Sequence, residues 1–135
     1  MKKEFFRIAA KEAHKSEYFM KVGCVLEYKH QILSEGYNKQ KSHPLQMKLN
    51  KRLENPKSYN ENHTQHAEVN AIIQCLDDPD INWEKVTLYT YRPKNSKEFG
   101  LARPCPRCMT LIKSLGIKHI CYTTEDGYAE EFLLK

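Results

Sequence analysis

His66-Ala67-Glu68, completed further along by Pro104-Cys105-Pro106-Arg107-Cys108, constrains this chain more than any other feature. A histidine, a carboxylate two residues on and a later Cys-x-x-Cys supply three ligands for one zinc ion, His66, Cys105 and Cys108, with Glu68 beside them as an acid/base group. Three ligands leave zinc's fourth position open. That opening separates a catalytic site, where water or substrate reaches the metal, from a structural site closed by four protein ligands. Any fold of this chain has to bring the two stretches to one point.

Both stretches read as helix starts. Ala67, Val69, Ala71, Ile72, Ile73 and Leu76 recur at helical spacing, and Asp77-Asp78-Pro79-Asp80 stops the run, so His66 and Glu68 open a helix. Cys105 and Cys108 open a second, with Met109, Ile112 and Leu115 as its apolar face and Gly116 as its end. Residues three apart on a helix share a face, so both sulfurs reach one ion. Unpaired N–H groups at helix starts favour thiolates. Zinc with two thiolates and a neutral imidazole carries no formal charge, so water on it ionises less readily than on an all-histidine zinc, and a base must help. Glu68 is expected to take that proton and pass it to the substrate, a shuttle typically worth roughly 100- to 10,000-fold. The pair suits hydrolytic removal of an amino group from an amidine-like carbon, as in cytosine or adenine.

These residues resemble the zinc-dependent cytidine and deoxycytidylate deaminase superfamily. Val22-Gly23-Cys24-Val25 with Gly36-Tyr37-Asn38 is similar to the family's first hairpin, Val86-Thr87-Leu88-Tyr89-Thr90 to the strand before the cysteines, and Gly116-Ile117-Lys118-His119-Ile120-Cys121-Tyr122 to the strand after them. The resemblance runs from Lys3 to Tyr122. It implies a three-layer α/β/α domain with a mixed sheet of about five strands and one Zn2+ per chain. It further implies deamination of a cytosine nucleotide, foremost deoxycytidylate (dCMP) to deoxyuridylate, and a homo-oligomer. By the same resemblance Asn38 contacts the substrate sugar; an asparagine after a strand also makes turns through its own backbone contacts, and both readings stay open. Ala67, Arg92, Arg103 and Tyr122 complete the expected substrate contacts. One departure stands out: many members pass almost directly from the strand to Pro-Cys, whereas this chain inserts Arg92 to Arg103. The insertion leaves the ligands alone but alters the rim above them, and its bracketing arginines suit a phosphate.

The charge distribution bears on the same question. Net charge is +5. Lys39 to His63 carries six basic residues against two Glu, and Arg92 to Arg103 four against one, so these loops hold more than the whole net charge and the remainder is mildly acidic. Basic loops beside a site suit an anionic substrate, either a nucleotide phosphate or a single-stranded nucleic acid; in the second case Tyr37, Tyr91, Phe99 and Tyr122 would stack on bases. A non-catalytic zinc-binding module is the third reading. Glu68, which ligates nothing, argues against it.

The 135 residues read as one domain, and no apolar run approaches the ~20 residues of a membrane span. The charged start lacks a long apolar core, so no secretory signal is expected and the cytoplasm is the default location. Five cysteines, two assigned to zinc, argue against a disulfide framework; Cys24, Cys75 and Cys121 read as small apolar core groups. No second metal is expected, because the 39–65 insert has no cysteine and the spare cysteines lack local ligand spacing. His43 and His63 read as loop residues, with His63 near enough to His66 to line the site. Elsewhere, Phe5, Ile8, Ala9 and Ala13 predict a helix over Lys3 to His14. Val22 to Tyr28 and Gln31 to Tyr37 predict a hairpin turning at Lys29-His30, and Val86 to Tyr91 a central strand. Lys118 to Tyr122 follows a helix, which implies a parallel crossover. Tyr128, Phe132 and Leu133 predict a short closing helix over Tyr128 to Leu134, after a turn at Asp126-Gly127.

Overall fold

In the computed structural model, which describes residues 2–17, 20–39, 44–47, 65–93 and 100–133, the first apolar stripe forms α1 (Lys3–His14) as its spacing requires. The hairpin follows as β1 (Gly23–Tyr28) and β2 (Gln31–Tyr37), then α2 (Ala67–Ile73), β3 (Val86–Tyr91), α3 (Pro106–Leu115), β4 (His119–Thr124) and β5 (Gly127–Phe132). Lys29 and His30 take φ of 53° and 67°, so the two-residue turn has the left-handed pair that matches strand twist in tight hairpins. The strands make one mixed sheet in the order β2-β1-β3-β4-β5. Strand β3 is central and parallel to β4 through α3, as the crossover reading requires; the other pairings are antiparallel.

The tail corrects the sequence reading. Tyr128, Phe132 and Leu133 fit a helix by spacing, yet Gly127–Phe132 is a strand paired along the whole of β4. The spacing from Tyr128 to Phe132 fits a period of two as well as a helical turn, so the pattern did not discriminate. What decides is the neighbour. β4 is buried almost throughout, and without a partner it would leave a row of backbone N–H and C=O groups unpaired at the sheet edge.

Two apolar layers flank the sheet. Phe5, Phe6 and Ala9 of α1 pack on Val25, Tyr89 and Cys121 from one face, while the other face, with Leu26, Leu88 and Ile120, meets Val69 and Ile72 of α2 and Met109 and Ile112 of α3. This is the expected three-layer arrangement, and it places α2 and α3, which carry the ligand stretches, on the same side. Among the described residues no helix is long and apolar enough to cross a membrane.

Close approach sets how α2 sits. A Cβ at Gly36 would lie 2.6 Å from the Ala71 nitrogen and 2.9 Å from the Ala67 carbonyl oxygen, both backbone atoms that cannot swing away. Gly23 meets α1 in the same way, at 1.8 Å from the Ala9 oxygen. Gly36→Ala is therefore expected to destabilise the fold by about 1–3 kcal/mol, the usual cost of forcing extra volume into a packed core. Because α2 would move away from the sheet, zinc affinity should fall with it. Chemical denaturation together with zinc titration measures both.

Candidate active site

His66 and Cys105 are the N-cap residues of α2 and α3, but neither side chain caps its own helix. They turn toward each other instead. His66 Nδ1 lies 3.5 Å from Cys105 Sγ and 3.4 Å from Cys108 Sγ. A tetrahedral zinc with Zn–S about 2.3 Å and Zn–N about 2.0–2.1 Å has N···S edges of roughly 3.5 Å, so the observed separations are those of a zinc site. Pro106 occupies the first turn of α3, where its missing N–H costs nothing, and Gly116, at φ 100°, ends the helix as expected.

The protonation pattern fits a metal centre. Cys105 is held well below the usual thiol range because Cys108 donates to it and His66 stands beside it. Cys108, the donor of that pair and fully buried, is pushed up correspondingly.

Glu68 sits in the first turn of α2 with only 6% of its surface exposed. Burial raises its carboxyl to about 7, against the opposing pull of His66 and with a further push from Cys105. A carboxyl poised near neutrality both takes and returns a proton, which is what a shuttle requires.

Hydrogen bonds hold the ligand helix in place. Gln46, fully buried, accepts from the His66 backbone N–H at 3.0 Å. Asn70 accepts from the Tyr37 N–H at 3.1 Å and donates to Gln65 Oε1 at 2.6 Å, tying α2 to the end of β2. Lys39 and Gln65 exchange backbone hydrogen bonds and close the base of the long excursion. Sequence reasoning missed these residues. Asn70 had a signal, a polar side chain within an apolar run; Gln46 had none, being one polar residue in a stretch without periodicity.

A cavity of about 310 Å³ opens beside the ligands, the lower end of the usual range for small-molecule sites. His66, Glu68 and Cys105 line it together with four of the five expected substrate contacts, Asn38, Ala67, Arg92 and Arg103. Tyr122 is not in the lining. Its hydroxyl donates to Glu131 Oε2 at 2.7 Å, and Glu131 in turn accepts from Arg103 Nε and Nη2 at 2.6 and 3.1 Å. Arg103 holds the Glu131 carboxyl below its ordinary range, with Tyr122 assisting. Glu131, which sequence reasoning placed in a closing helix, thus reaches the site rim from β5. A more open depression of about 770 Å³, between Trp83 and the end of α3, touches none of the ligands.

Asn38 is engaged with the backbone: its Oδ1 accepts from the Val22 N–H at 2.9 Å and its Nδ2 donates to the Met20 carbonyl at 2.6 Å. The asparagine makes the turn-type contacts and also faces the cavity. Arg92 sits where the insertion closes on itself. Gly100 N–H donates to the Arg92 carbonyl at 2.6 Å, and Thr123 Oγ1 accepts from the Arg92 N–H at 3.1 Å while donating to the Gly100 carbonyl at 2.7 Å. Within the described residues Arg92 enters no ion pair. Tyr91 packs on the α1 side of the sheet, away from the cavity. His43, His63 and Phe99 lie outside the described residues.

The model of the cytidine and deoxycytidylate deaminase zinc-binding region matches residues 1–124. The chain belongs to this family. The protein is accordingly a zinc-dependent deaminase, and the non-catalytic reading is set aside. Solved structures share its fold. A cytidine deaminase from Burkholderia pseudomallei aligns with a TM-score of 0.68 at 15% identity, covering 98% of this chain and 92% of that one. A dCMP deaminase from the cyanophage S-TIM5 aligns at 0.63 in its apo form, with 21% identity, 92% of this chain and 86% of that one. The same phage enzyme in complex with dCMP and dUMP aligns at 0.61. No curated protein matches the deaminase significantly.

Proposed function

We propose that the deaminase converts a cytosine nucleotide, foremost dCMP, to the uracil nucleotide with release of ammonia. The observation that carries this is the shared cavity: His66, Cys105 and Glu68 line it together with two arginines, so chemistry on a base and recognition of an anion are within reach of one bound molecule. The likeness to an enzyme solved with dCMP and dUMP supports the same substrate class.

His66, Cys105 and Cys108 would hold the zinc, which would supply Lewis-acid activation of water. Glu68 accepts the proton released as water adds to C4 of the base and delivers it to the ring nitrogen. A second transfer through the same carboxyl puts a proton on the departing amino group, so ammonia leaves and the carbonyl forms. Ala67, between ligand and acid in the cavity wall, is small enough to let the base approach. Of the two arginines, Arg103 already has a carboxylate partner in Glu131, which leaves Arg92 as the main phosphate anchor.

The test compares dCMP with deoxycytidine. dCMP should have the higher kcat/KM, and Arg92→Ala should lower that of dCMP by roughly 10- to 100-fold, the worth of a charge-assisted hydrogen bond, while leaving deoxycytidine almost unchanged. Arg103→Ala should have the smaller effect. Equal turnover of the two substrates by the wild type would overturn the phosphate reading. Turnover of single-stranded DNA or RNA without turnover of dCMP, with binding that falls by about 0.7 log unit per contacted phosphate for each log unit of salt, would replace it with a polymer substrate.

A further inference from the structure

The sheet face opposite the catalytic centre carries a second set of ligand-type side chains, assembled across strands and invisible to local spacing. His119 and Cys121 stand two apart on β4, and Glu130 is the register partner of Cys121 on β5. His119 Nε2 lies 3.5 Å from Cys121 Sγ and 2.8 Å from Glu130 Oε2, and the three ligand atoms all fall within 4.8 Å of one another. The N···S separation equals that between His66 and Cys105.

The imidazole is held as a metal ligand is held. Its Nδ1 is 3.3 Å from the Thr87 hydroxyl on the neighbouring strand, and its ring stacks on Phe132 at 4.4 Å between centroids and 7° between planes. A hydrogen bond at one ring nitrogen fixes which nitrogen faces the ligand position, the usual outer-shell arrangement for metal-bound histidine. Here the fixed nitrogen faces a thiol and a carboxylate. Cys121 is fully buried, whereas the His119 and Glu130 side chains are 22% and 38% exposed, which leaves a solvent entry on the Glu130 side.

We propose that His119, Cys121 and Glu130 form a second metal site for a zinc-class divalent cation, on the face of the sheet opposite the His66, Cys105 and Cys108 cluster. One imidazole nitrogen, one thiolate and one carboxylate oxygen are the donor types zinc takes, and three of them leave a fourth position for water. Binding releases to solvent the Cys121 thiol proton and the proton that His119 Nε2 shares with Glu130, and a sulfur–metal and a nitrogen–metal bond take their place. The Glu130 carboxylate opens slightly from its hydrogen bond to admit the ion.

Cobalt(II) added to the zinc-loaded enzyme tests this, with both metals counted after gel filtration. One cobalt per chain should bind without loss of the resident zinc and give a thiolate-to-cobalt charge-transfer band. That band should vanish in Cys121→Ser, with deamination unchanged. Thr87→Val, which touches no metal, should weaken cobalt binding by about 10- to 100-fold. Glu130→Gln, on the exposed side, keeps the test decisive if the buried cysteine variant folds poorly, and should also weaken binding. No cobalt uptake beyond exchange with the catalytic zinc, or uptake equal in all the variants, would overturn the site and leave a His119–Glu130 ion pair beside a core cysteine.

Discussion

Glu68→Gln is expected to keep the fold and the zinc while lowering deamination by roughly 100- to 10,000-fold, the range typical of a lost general acid/base. The substitution preserves volume and hydrogen-bonding capacity in a position that is almost fully buried, so packing of α2 should be unaffected. It removes only the ability to move a proton. Burial pushes this carboxyl up from its ordinary range, toward easy exchange of a proton; an amide has no protonated and ionised pair of forms. Steady-state kinetics beside a zinc assay separates the roles. A variant retaining more than about a tenth of the wild-type rate would require another proton carrier, and one that lost zinc would make Glu68 part of the coordination instead.

Cys105→Ala should carry the second largest effect, this time on metal and stability together. Cys105 opens α3 and His66 opens α2, so an ion on both would bridge the starts of two helices that are otherwise joined through the core beneath them. A ligand present at 100 times its Kd adds about 2.7 kcal/mol to the folded state. Losing that stabilisation should lower the melting temperature by roughly 10 °C for a domain of this size. Zinc addition should raise the melting temperature of the wild type and leave that of the variant nearly unmoved. Stoichiometric zinc in Cys105→Ala would show that another residue completes the ligand set.

Much of this architecture was legible before any tertiary structure. The α1 stripe, the Lys29-His30 hairpin turn, the β3 strand itself and both ends of α3 follow from interactions between residues close in sequence, where periodicity, turn chemistry and capping act directly. The tail was illegible for the opposite reason. Its local pattern fits helix and strand alike, and the unpaired edge of β4 selects the strand. Glu131 went unnoticed with it, because its tie to Arg103 and Tyr122 exists only once β5 is placed beside β4.

The sequence by itself determined the reaction class, since a histidine, a Cys-x-x-Cys pair and a carboxylate two residues from the histidine keep their chemical identity wherever the chain carries them. It also determined which helices present them, because His66 and Cys105 mark helix starts by their own neighbours. Tertiary structure alone decided that Gln46 holds the ligand helix, that Arg103 is shared with Glu131 while Arg92 is not, and that His119, Cys121 and Glu130 meet. Those contacts join residues far apart in the chain, and which of them form is set by strand order and register, which no local pattern encodes.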